Sequence, residues 1–483
     1  MKKNNTLFKT IVILFIVFSI MSWIIPAGKA SGAEITSLGL SRISLYNLIE
    51  YPYLCLKFFI EPILYILVVG GFYGVLSKTG KYRNALEKIA KSLKGKETIF
   101  LVAVAFILAA LNSVFGFNVI LFAFIPALCG IILLMGYDKI TAFLVTFIST
   151  LIGTIGNTYA FNTVGYINQI VGTELTAKML IAKLALFLLT FVVYMAFTLS
   201  HAKKTKTANA EIADEYFFVG EKKQSKKPSW PIFVITGILL VIMILGYTDW
   251  SRIFKVTFFT DLHTTVTEWA IKDHTIVAYL IDGLGEFGSW AIPEFTVMIL
   301  IATLLIKLVY NINIDDVIES FGEGAKKMLK PAFLVAVAYV LVLVTGYKPF
   351  IVTIADFICN TCGNGLANLI NVTFIGKIIY VIFSTITLIL TSVMDVEMLY
   401  VVQSTVPYMA SLYADNINSL ALLVQSIYGL TMFIAPTSTM MILGLETLNI
   451  PYKEWLKKSW KLVLELLAVI IVIILIVIFV LYK

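Results

Sequence analysis

The chain has 483 residues, of which 59% are hydrophobic and only 14% are charged. Its mean hydropathy is strongly positive, and many stretches contain 18 or more apolar residues. Soluble cores rarely contain such stretches, so the composition excludes a soluble globular protein. The net charge of +8 would indicate nucleic acid binding in a soluble protein, but here the basic residues lie in short loops, which is typical of cytoplasmic membrane loops. We therefore predict an all-α polytopic membrane protein with no nucleic acid partner.

The cysteines and glycines indicate neither a disulfide framework nor an enzyme. Cys359 and Cys362 have the spacing of a metal or redox pair, but no second pair and no histidine cluster accompanies them in the sequence. No phosphate-binding glycine loop and no nucleotide-binding domain can be found in the sequence, which argues against ATP-driven transport. We expect no metal and no cofactor.

The first part of the chain predicts two spans and a third, interrupted apolar segment. The run 11–25 follows Lys2, Lys3 and Lys9 and is interpreted as a retained helix with its N-terminus in the cytoplasm. The run 59–76 returns to a cytoplasmic loop, 78–97, which holds seven basic residues and two glutamates. Residues 98–135 are apolar except at 113–118. Loop orientation permits two full spans or one re-entrant hairpin there, and the polar tip favours the hairpin.

The remaining segments are assigned in the same way from hydropathy and loop charge. An amphipathic helix at 312–329 is expected to lie at the cytoplasmic interface, because its apolar residues recur at helical spacing. The other segments are a span broken at 156–158, a span at 179–199, a solvated charged linker, spans at 231–247, 292–310 and 331–347, a hairpin at 378–409 interrupted at 391–397, a span at 420–443 broken at 435–439, and a last span at 458–483.

The polar breaks occur in two similarly spaced pairs. Ser113 and Asn157 are 44 positions apart, and Ser392 and Pro436 are also 44 positions apart. This weak symmetry predicts two inverted repeats, each with a re-entrant hairpin and a broken transmembrane helix. The predicted parts are 1–97, scaffold helices of repeat 1; 98–200, the transport core of repeat 1; 201–229, a cytoplasmic linker; 230–372, scaffold helices of repeat 2; and 373–483, the transport core of repeat 2.

Six short motifs support a family assignment. They are 21–28 (MSWIIPAG), 70–76 (GGFYGVL), 136–138 (GYD), 157–165 (NTYAFNTVG), 436–438 (PTS) and 450–456 (IPYKEWL). In this order and spacing, the sequence resembles the four-carbon dicarboxylate anaerobic carrier family, in the YfcC-like branch of the ion transporter superfamily. The resemblance implies a homodimer with a scaffold part and a mobile part, and secondary active transport by an elevator-like movement. Activities of such relatives include dicarboxylate carriage and arginine/ornithine exchange.

Two departures from the family pattern leave the substrate open. The first hairpin tip in this family often carries a glutamate pair, where this chain has Phe117, Asn118 and Val119. The second tip is usually Ser-Gly-Ser-Gly, where this chain has Asp395 and Glu397. The identity of the substrate therefore cannot be inferred from the family.

The candidate binding residues are polar side chains at the helix breaks. Half-helix N-termini, hydroxyls and free carbonyls at such breaks suit a carboxylate, an amino group or Na⁺. The alternative is that serines and threonines only cap kinked helices. The candidate residues for substrate or ion binding are Ser113, Asn118, Asn157, Thr158, Asn162, Thr163, Ser392, Asp395, Glu397, Thr437, Ser438 and Thr439.

The acids at the second tip give the strongest signal about the substrate. A carboxylate within a hydrophobic segment is costly, and Asp395 and Glu397 favour a cationic or zwitterionic ligand, Na⁺ or H⁺. The alternative is a hairpin tip that reaches water. We predict a plasma-membrane secondary transporter of small carboxylate-bearing metabolites, coupled to Na⁺ or H⁺. Amino acids such as arginine and ornithine are the first choice, four-carbon dicarboxylates the second, and a channel a remote alternative.

Overall fold

The computed structural model describes residues 5–31, 34–160, 164–172, 174–206, 216–220, 227–270, 274–366, 373–395, 397–412 and 417–481. Within these ranges, nine helices are long and apolar enough to cross a membrane. The two strands in the described ranges form a single short antiparallel pair. The prediction of an all-α polytopic membrane protein is confirmed.

The first half of the chain contains ten helices and the strand pair. They are α1 (Thr6–Ile24), β1 (Ala27–Ser31), β2 (Glu34–Gly39), α2 (Leu45–Phe58), α3 (Ile60–Lys78), α4 (Tyr82–Ser92), α5 (Glu97–Phe115), α6 (Ile125–Leu134), α7 (Lys139–Phe143), α8 (Ser149–Ile155), α9 (Tyr166–Val171) and α10 (Ala177–Thr205). Three short non-α segments accompany them: 3-10 turns at Val119–Ala123 and Phe217–Val219, and a π turn at Leu144–Ile148.

In the second half a hairpin, a broken helix and a last span follow one another in the same order as in the first half. Its helices are α11 (Trp230–Tyr247), α12 (Trp250–Phe254), α13 (Phe258–Glu268), α14 (Ile276–Leu280), α15 (Ile292–Tyr310), α16 (Ile314–Tyr347), α17 (Phe350–Asp356), α18 (Thr373–Met394), α19 (Met398–Leu412), α20 (Ile417–Thr431), α21 (Thr439–Thr447) and α22 (Tyr452–Ile476). π turns follow α17 and α22, at Phe357–Asn364 and Val477–Leu481. The hairpins are α5–α6 and α18–α19, and the broken helices are α7–α9 and α20–α21.

The amphipathic helix predicted at 312–329 is not a separate element. It is the first part of α16, a continuous helix of 34 residues that passes through Pro331. The prediction ended the helix at the proline, because proline removes a backbone donor. Within a helical membrane protein such a proline is tolerated, since packing against neighbouring helices compensates for the lost bond. Helices α2 and α3, separated only by Phe59, cover the same number of positions as α16 and are its counterpart in the first repeat.

The close packing of α3 against α16 explains the glycine-rich motif at 70–76. A Cβ atom added at Gly74 would lie 2.1 Å from the carbonyl oxygen of Ser320, and one added at Gly324 would lie 2.1 Å from the carbonyl oxygen of Gly70. Small residues let membrane helices approach until their backbones touch. This contact joins the long helices of the two repeats.

The first hairpin is re-entrant. Its ends lie together, because Lys206 at the end of α10 pairs with Glu97 (3.2 Å) and lies 5.2 Å above the ring of Tyr137. The return helix α6 has 10 residues, which makes it about 15 Å long, or half the thickness of the hydrocarbon core. That length is too short for the second full span that loop orientation had left open.

The turn after the first hairpin shows what the GYD motif does. Asp138 caps α7 by accepting a bond from the backbone N–H of Thr141 (2.9 Å), and its other oxygen lies 3.0 Å from Nε2 of His201. Burial opposes the charge of this carboxylate, but hydrogen bonds from His201 and Thr141 outweigh that cost and hold the pKa of Asp138 below its usual range. His201 lies in α10.

Two features were not anticipated from the sequence. The strands β1 and β2 lie between the first two predicted spans and are bonded to the second half of the chain, where the N–H of Gly28 donates to the carbonyl of Pro349 (3.1 Å). The linker is not solvated throughout. Tyr216, Phe218 and Val219 are buried, and the Tyr216 hydroxyl donates to the carbonyl of Leu448 (3.0 Å). Three apolar side chains within the charged stretch pull it onto the helices.

Gly74→Ala should destabilise the protein by about 1–3 kcal/mol, because the added methyl group would overlap the backbone of α16. Gly322→Ala is the matched control, since a Cβ there has no atom within 4 Å. The control should be neutral or slightly stabilising, as expected for replacing an exposed helical glycine. Thermal unfolding in detergent measures both. Equal midpoints for the two variants would contradict the close α3–α16 contact.

Candidate functional site

Hydrogen bonds of Ser113 and Thr158 connect the first helix break to the tip of the first hairpin. The backbone N–H and the hydroxyl of Thr158 both donate to the carbonyl of Ser113, at 2.9 and 3.1 Å. The Ser113 hydroxyl donates to the carbonyl of Gly156 at 2.7 Å. Both side chains are buried. Because lipid offers no hydrogen bonds, the broken backbone needs such partners from protein.

The second break repeats this connection. The Thr437 hydroxyl donates to the carbonyl of Val393 at 3.1 Å, 44 positions away, as Thr158 does to Ser113 across 45 positions. Ser438 caps α21 by accepting from the backbone N–H of Met441. The equal spacing of the polar breaks therefore corresponds to equivalent hydrogen bonds in the two repeats.

Residues of the PTS and IPYKEWL motifs complete the second break. The indole Nε1 of Trp455 donates to the carbonyl of Phe433, and the Tyr452 hydroxyl donates to the carbonyl of Ile434, both at 2.6 Å. These carbonyls follow the end of α20, where the helix no longer supplies donors. The two aromatic side chains thus stabilise the unwound segment.

The two acids at the second tip have different environments. Asp395 is 1% exposed, and its carboxylate accepts a hydrogen bond from the hydroxyl of Thr345 at 2.7 Å. Glu397 is exposed, although its carboxylate accepts a 2.5 Å bond from the hydroxyl of Tyr339. The tip therefore combines a buried acid and an accessible one.

Tyrosines surround the Glu397 carboxylate and join the two hairpin tips. Tyr339 and Tyr428 are buried, and both interact electrostatically with Glu397, as does Tyr247. The Tyr247 ring packs edge-on against Phe117 of the first tip, with centroids 5.2 Å apart. The Glu397 carboxylate therefore lies close to side chains from α11, α16 and α20.

A cavity of about 360 Å³ opens next to Asp395. Its polar lining comes from Lys29 of the strand pair, Thr345, Asp395, and Tyr400, Gln403 and Ser404 of α19. The Gln403 amide donates to the hydroxyl of Tyr166 in the broken helix of the first repeat, at 2.8 Å. The cavity has the size of a small-metabolite site and contains groups of both charges.

Lys183 is a charged residue that the sequence analysis overlooked. It lies on α10, is 0% exposed, and donates to the side-chain oxygen of Gln425 at 2.8 Å. The amide nitrogen of Gln425 in turn donates to the carbonyls of Ile155 and Asn157 at the first break. No carboxylate among the described residues pairs with Lys183. A lone lysine within a long apolar run is the signal that could have identified it.

The remaining candidate binding residues differ in their burial and in their hydrogen bonding. Asn157 is buried at the first break, and Thr439 is buried at the start of α21. The Ser392 hydroxyl is buried and has no partner among the described residues. Asn118 is exposed, and its side chain makes no hydrogen bond to the described part of the chain. Asn162 and Thr163 lie outside the described residues.

Among the described residues there is little to indicate metal binding or thiol chemistry. They include no group of three or more His, Cys, Asp or Glu side chains placed to hold a metal ion. The four cysteines are free, and the Cys359 thiol lies 3.1 Å from the hydroxyl of Thr387.

Paired hairpins, broken helices and buried charges at the breaks define a membrane transporter, not an enzyme. The chain belongs to the C4-dicarboxylate anaerobic carrier family DcuC, whose model matches residues 46–481. The family resemblance seen in the sequence motifs is thereby confirmed.

Two relatives are 24% identical to this chain. An uncharacterized protein of Haemophilus influenzae aligns over 411 residues, 82% of this chain and 71% of that protein. The protein named "Putative basic amino acid antiporter YfcC" of Escherichia coli aligns over 322 residues, 64% of this chain. The match spans 56% of the length of the Escherichia coli protein.

Two solved structures of transporters are similar to the chain over nearly its whole length. The Alcanivorax borkumensis YdaH transporter has a TM-score of 0.44 at 14% identity, with 98% of each chain covered. MtrF of Neisseria gonorrhoeae has a TM-score of 0.41 at 13% identity, with 96% of this chain and 94% of that chain covered.

Gln425→Leu should lower the melting temperature in detergent, because it leaves the Lys183 ammonium and two carbonyls without their partner. Losing a hydrogen bond to a buried charged group costs about 1–3 kcal/mol. Lys183→Met/Gln425→Leu should recover part of the loss, since it removes the buried charge as well. A double variant less stable than Gln425→Leu would show that Lys183 has another partner.

Proposed function

We propose that this carrier is a secondary active transporter of small carboxylate-bearing metabolites, with amino acids such as arginine and ornithine as the first candidates. The buried Asp395 carboxylate beside the 360 Å³ cavity is the observation that carries this proposal. Among the described residues its carboxylate accepts one hydrogen bond, from Thr345, which leaves acceptor capacity for a cationic group. A carboxylate in this position also opposes a doubly negative substrate.

The charged residues that line the cavity suit a zwitterionic substrate. An ammonium or guanidinium group would bind Asp395, with Glu397 nearby on the same tip. A substrate carboxylate would face Lys29 across the cavity, or Lys183 at the first break. The name of the Escherichia coli relative agrees with a basic amino acid as the substrate.

A four-carbon dicarboxylate is the second candidate. The description of the family supports it, and so does Lys183, because a buried ammonium group that has no carboxylate partner among the described residues offers its charge to an anion. For this substrate, Asp395 would hold the coupling cation instead of the substrate. Na⁺ would find oxygen ligands in Asp395 and in the Ser392 hydroxyl, which has no partner in the described part of the chain. H⁺ would bind the carboxylate directly.

The transport mechanism proposed is elevator-like, in a homodimer of the plasma membrane with the N-terminus in the cytoplasm. Residues 98–200 and 373–483 would move together as the transport core. Residues 1–97 and 230–372 would form the scaffold, and 201–229 would connect the repeats. The bonds between each hairpin and the broken helix of its repeat support joint movement, because breaking them within lipid is costly.

Exchange in proteoliposomes tests the substrate class. Vesicles are preloaded with unlabelled arginine, ornithine, aspartate or succinate, and entry of the labelled counterpart is measured with and without a Na⁺ or H⁺ gradient. Arginine/ornithine exchange without succinate transport is expected. Succinate transport alone would overturn the amino acid proposal and favour the dicarboxylate.

Asp395→Asn should reduce arginine exchange at least tenfold, because about 1.4 kcal/mol of lost charge pairing already gives a factor of ten. Asp315→Asn removes the same charge at an exposed position of α16 and should leave exchange unchanged. The measurement is the initial rate at equal protein content. A rate for Asp395→Asn equal to that of Asp315→Asn would exclude a role for Asp395 in binding the substrate or the coupling ion.

A further inference from the structure

A basic pocket and an apolar cavity lie one below the other between α4 and α11. The basic pocket, of about 260 Å³, contains Lys81, which directly precedes α4, Lys88 and Lys91 of α4, and Lys227, which lies three residues before α11 begins. The apolar cavity, of about 370 Å³, is lined on α11 by positions one to three turns further along the helix, from Ile232 to Leu240. The α4–α11 pair thus forms a positively charged pocket above an apolar cavity.

The amphipathic character of α4 divides the two compartments. Its polar face contributes the lysines, and its apolar face contributes Tyr82, Ala85, Leu86 and Ile89 to the cavity. Glu87 also lines the basic pocket, but Arg83 neutralises it at 2.9 Å. The salt bridges formed by described residues involve none of Lys81, Lys88 and Lys91. The pocket therefore has a net positive charge.

The interior of the cavity is almost wholly apolar. The Thr236 hydroxyl is bonded to its own helix at Ile232, and Tyr73 is bonded to the carbonyl of Ala123. The Tyr82 hydroxyl is the exception. It belongs to a side chain only 3% exposed and has no partner among the described residues. An acyl chain fits this lining, and an ester oxygen would supply the partner that Tyr82 lacks.

We propose that an anionic phospholipid binds between α4 and α11, with its phosphate on the lysines and an acyl chain in the apolar cavity. Charge complementarity and the order of the two compartments favour this occupant. A free anion would leave the cavity unfilled, and a neutral lipid would leave the lysines unneutralised. The site joins α4, the first hairpin and α11, so a bound lipid would tie the hairpin to a helix of the other repeat.

Thermal unfolding in detergent, with lipid added, tests the proposal. Phosphatidylglycerol should raise the melting temperature in a saturable way. Phosphatidylcholine with the same chains, and glycerol phosphate without chains, should not. A shift with glycerol phosphate would assign the pocket to a free anion, and an equal shift with phosphatidylcholine would assign the cavity to lipid chains alone. Either result would overturn the proposal.

Two variants separate the compartments. Each lysine near an anionic lipid strengthens binding by about fivefold, so Lys81→Gln/Lys88→Gln/Lys91→Gln should weaken phosphatidylglycerol binding by roughly 100-fold. Gly237→Leu should fill the cavity without a clash, since a Cβ there meets no atom within 4 Å, and should abolish the lipid shift in a folded protein.

The control is Lys453→Gln/Lys457→Gln/Lys458→Gln, which removes the same charge near the start of α22 and should keep the full shift. Retention of the shift in both site variants, or its loss in the control, would contradict a specific site.

Discussion

The need to satisfy unwound backbone inside a lipid bilayer governs this structure. Each broken helix exposes carbonyl and N–H groups that have no water to bind, so every break requires donors from elsewhere in the chain. The hydroxyls of Thr158 and Thr437 connect each break to its own hairpin. Gln425 then serves the first break from the second repeat, and Trp455 closes the second break. The polar residues that bind the backbone also create the polar interior in which a substrate can bind.

Charge is distributed unequally over the two repeats. The first break has the Lys183 ammonium within two hydrogen bonds, through Gln425. The second has Asp395 and Glu397 at its hairpin tip. Helix α20 connects the two environments, since Gln425 faces the first break and Tyr428, one turn later, lies near both acids. An asymmetric site of this kind distinguishes the ends of a substrate, as an amino acid requires and a symmetric dicarboxylate does not.

Much of the fold could be predicted from the sequence, because lipid imposes strict rules on hydropathy and on polar breaks. Both hairpins and both broken helices followed from those rules, whereas the family followed from a resemblance in six short motifs. The strand pair, the burial of Tyr216, Phe218 and Val219, and the continuity of α16 through Pro331 did not, since each depends on packing against distant helices. At the candidate site, the two acids of the second hairpin tip could be recognised in the sequence as charged residues within an apolar run.

The roles of individual site residues could not be predicted in the same way. Sequence alone could not separate the buried Asp395 from the accessible Glu397, two positions apart on one turn. Lys183 was missed because lysines near helix ends usually reach the interface. Only the packing of α10 against the first break shows that this one is enclosed.

The most direct test of the account is a cryo-electron microscopy structure of the protein at saturating arginine. The account predicts ligand density in the cavity beside Asp395, with its cationic end on that carboxylate and its carboxylate directed towards a lysine. Density elsewhere in the protein, or an empty cavity under conditions in which arginine is exchanged, would contradict it.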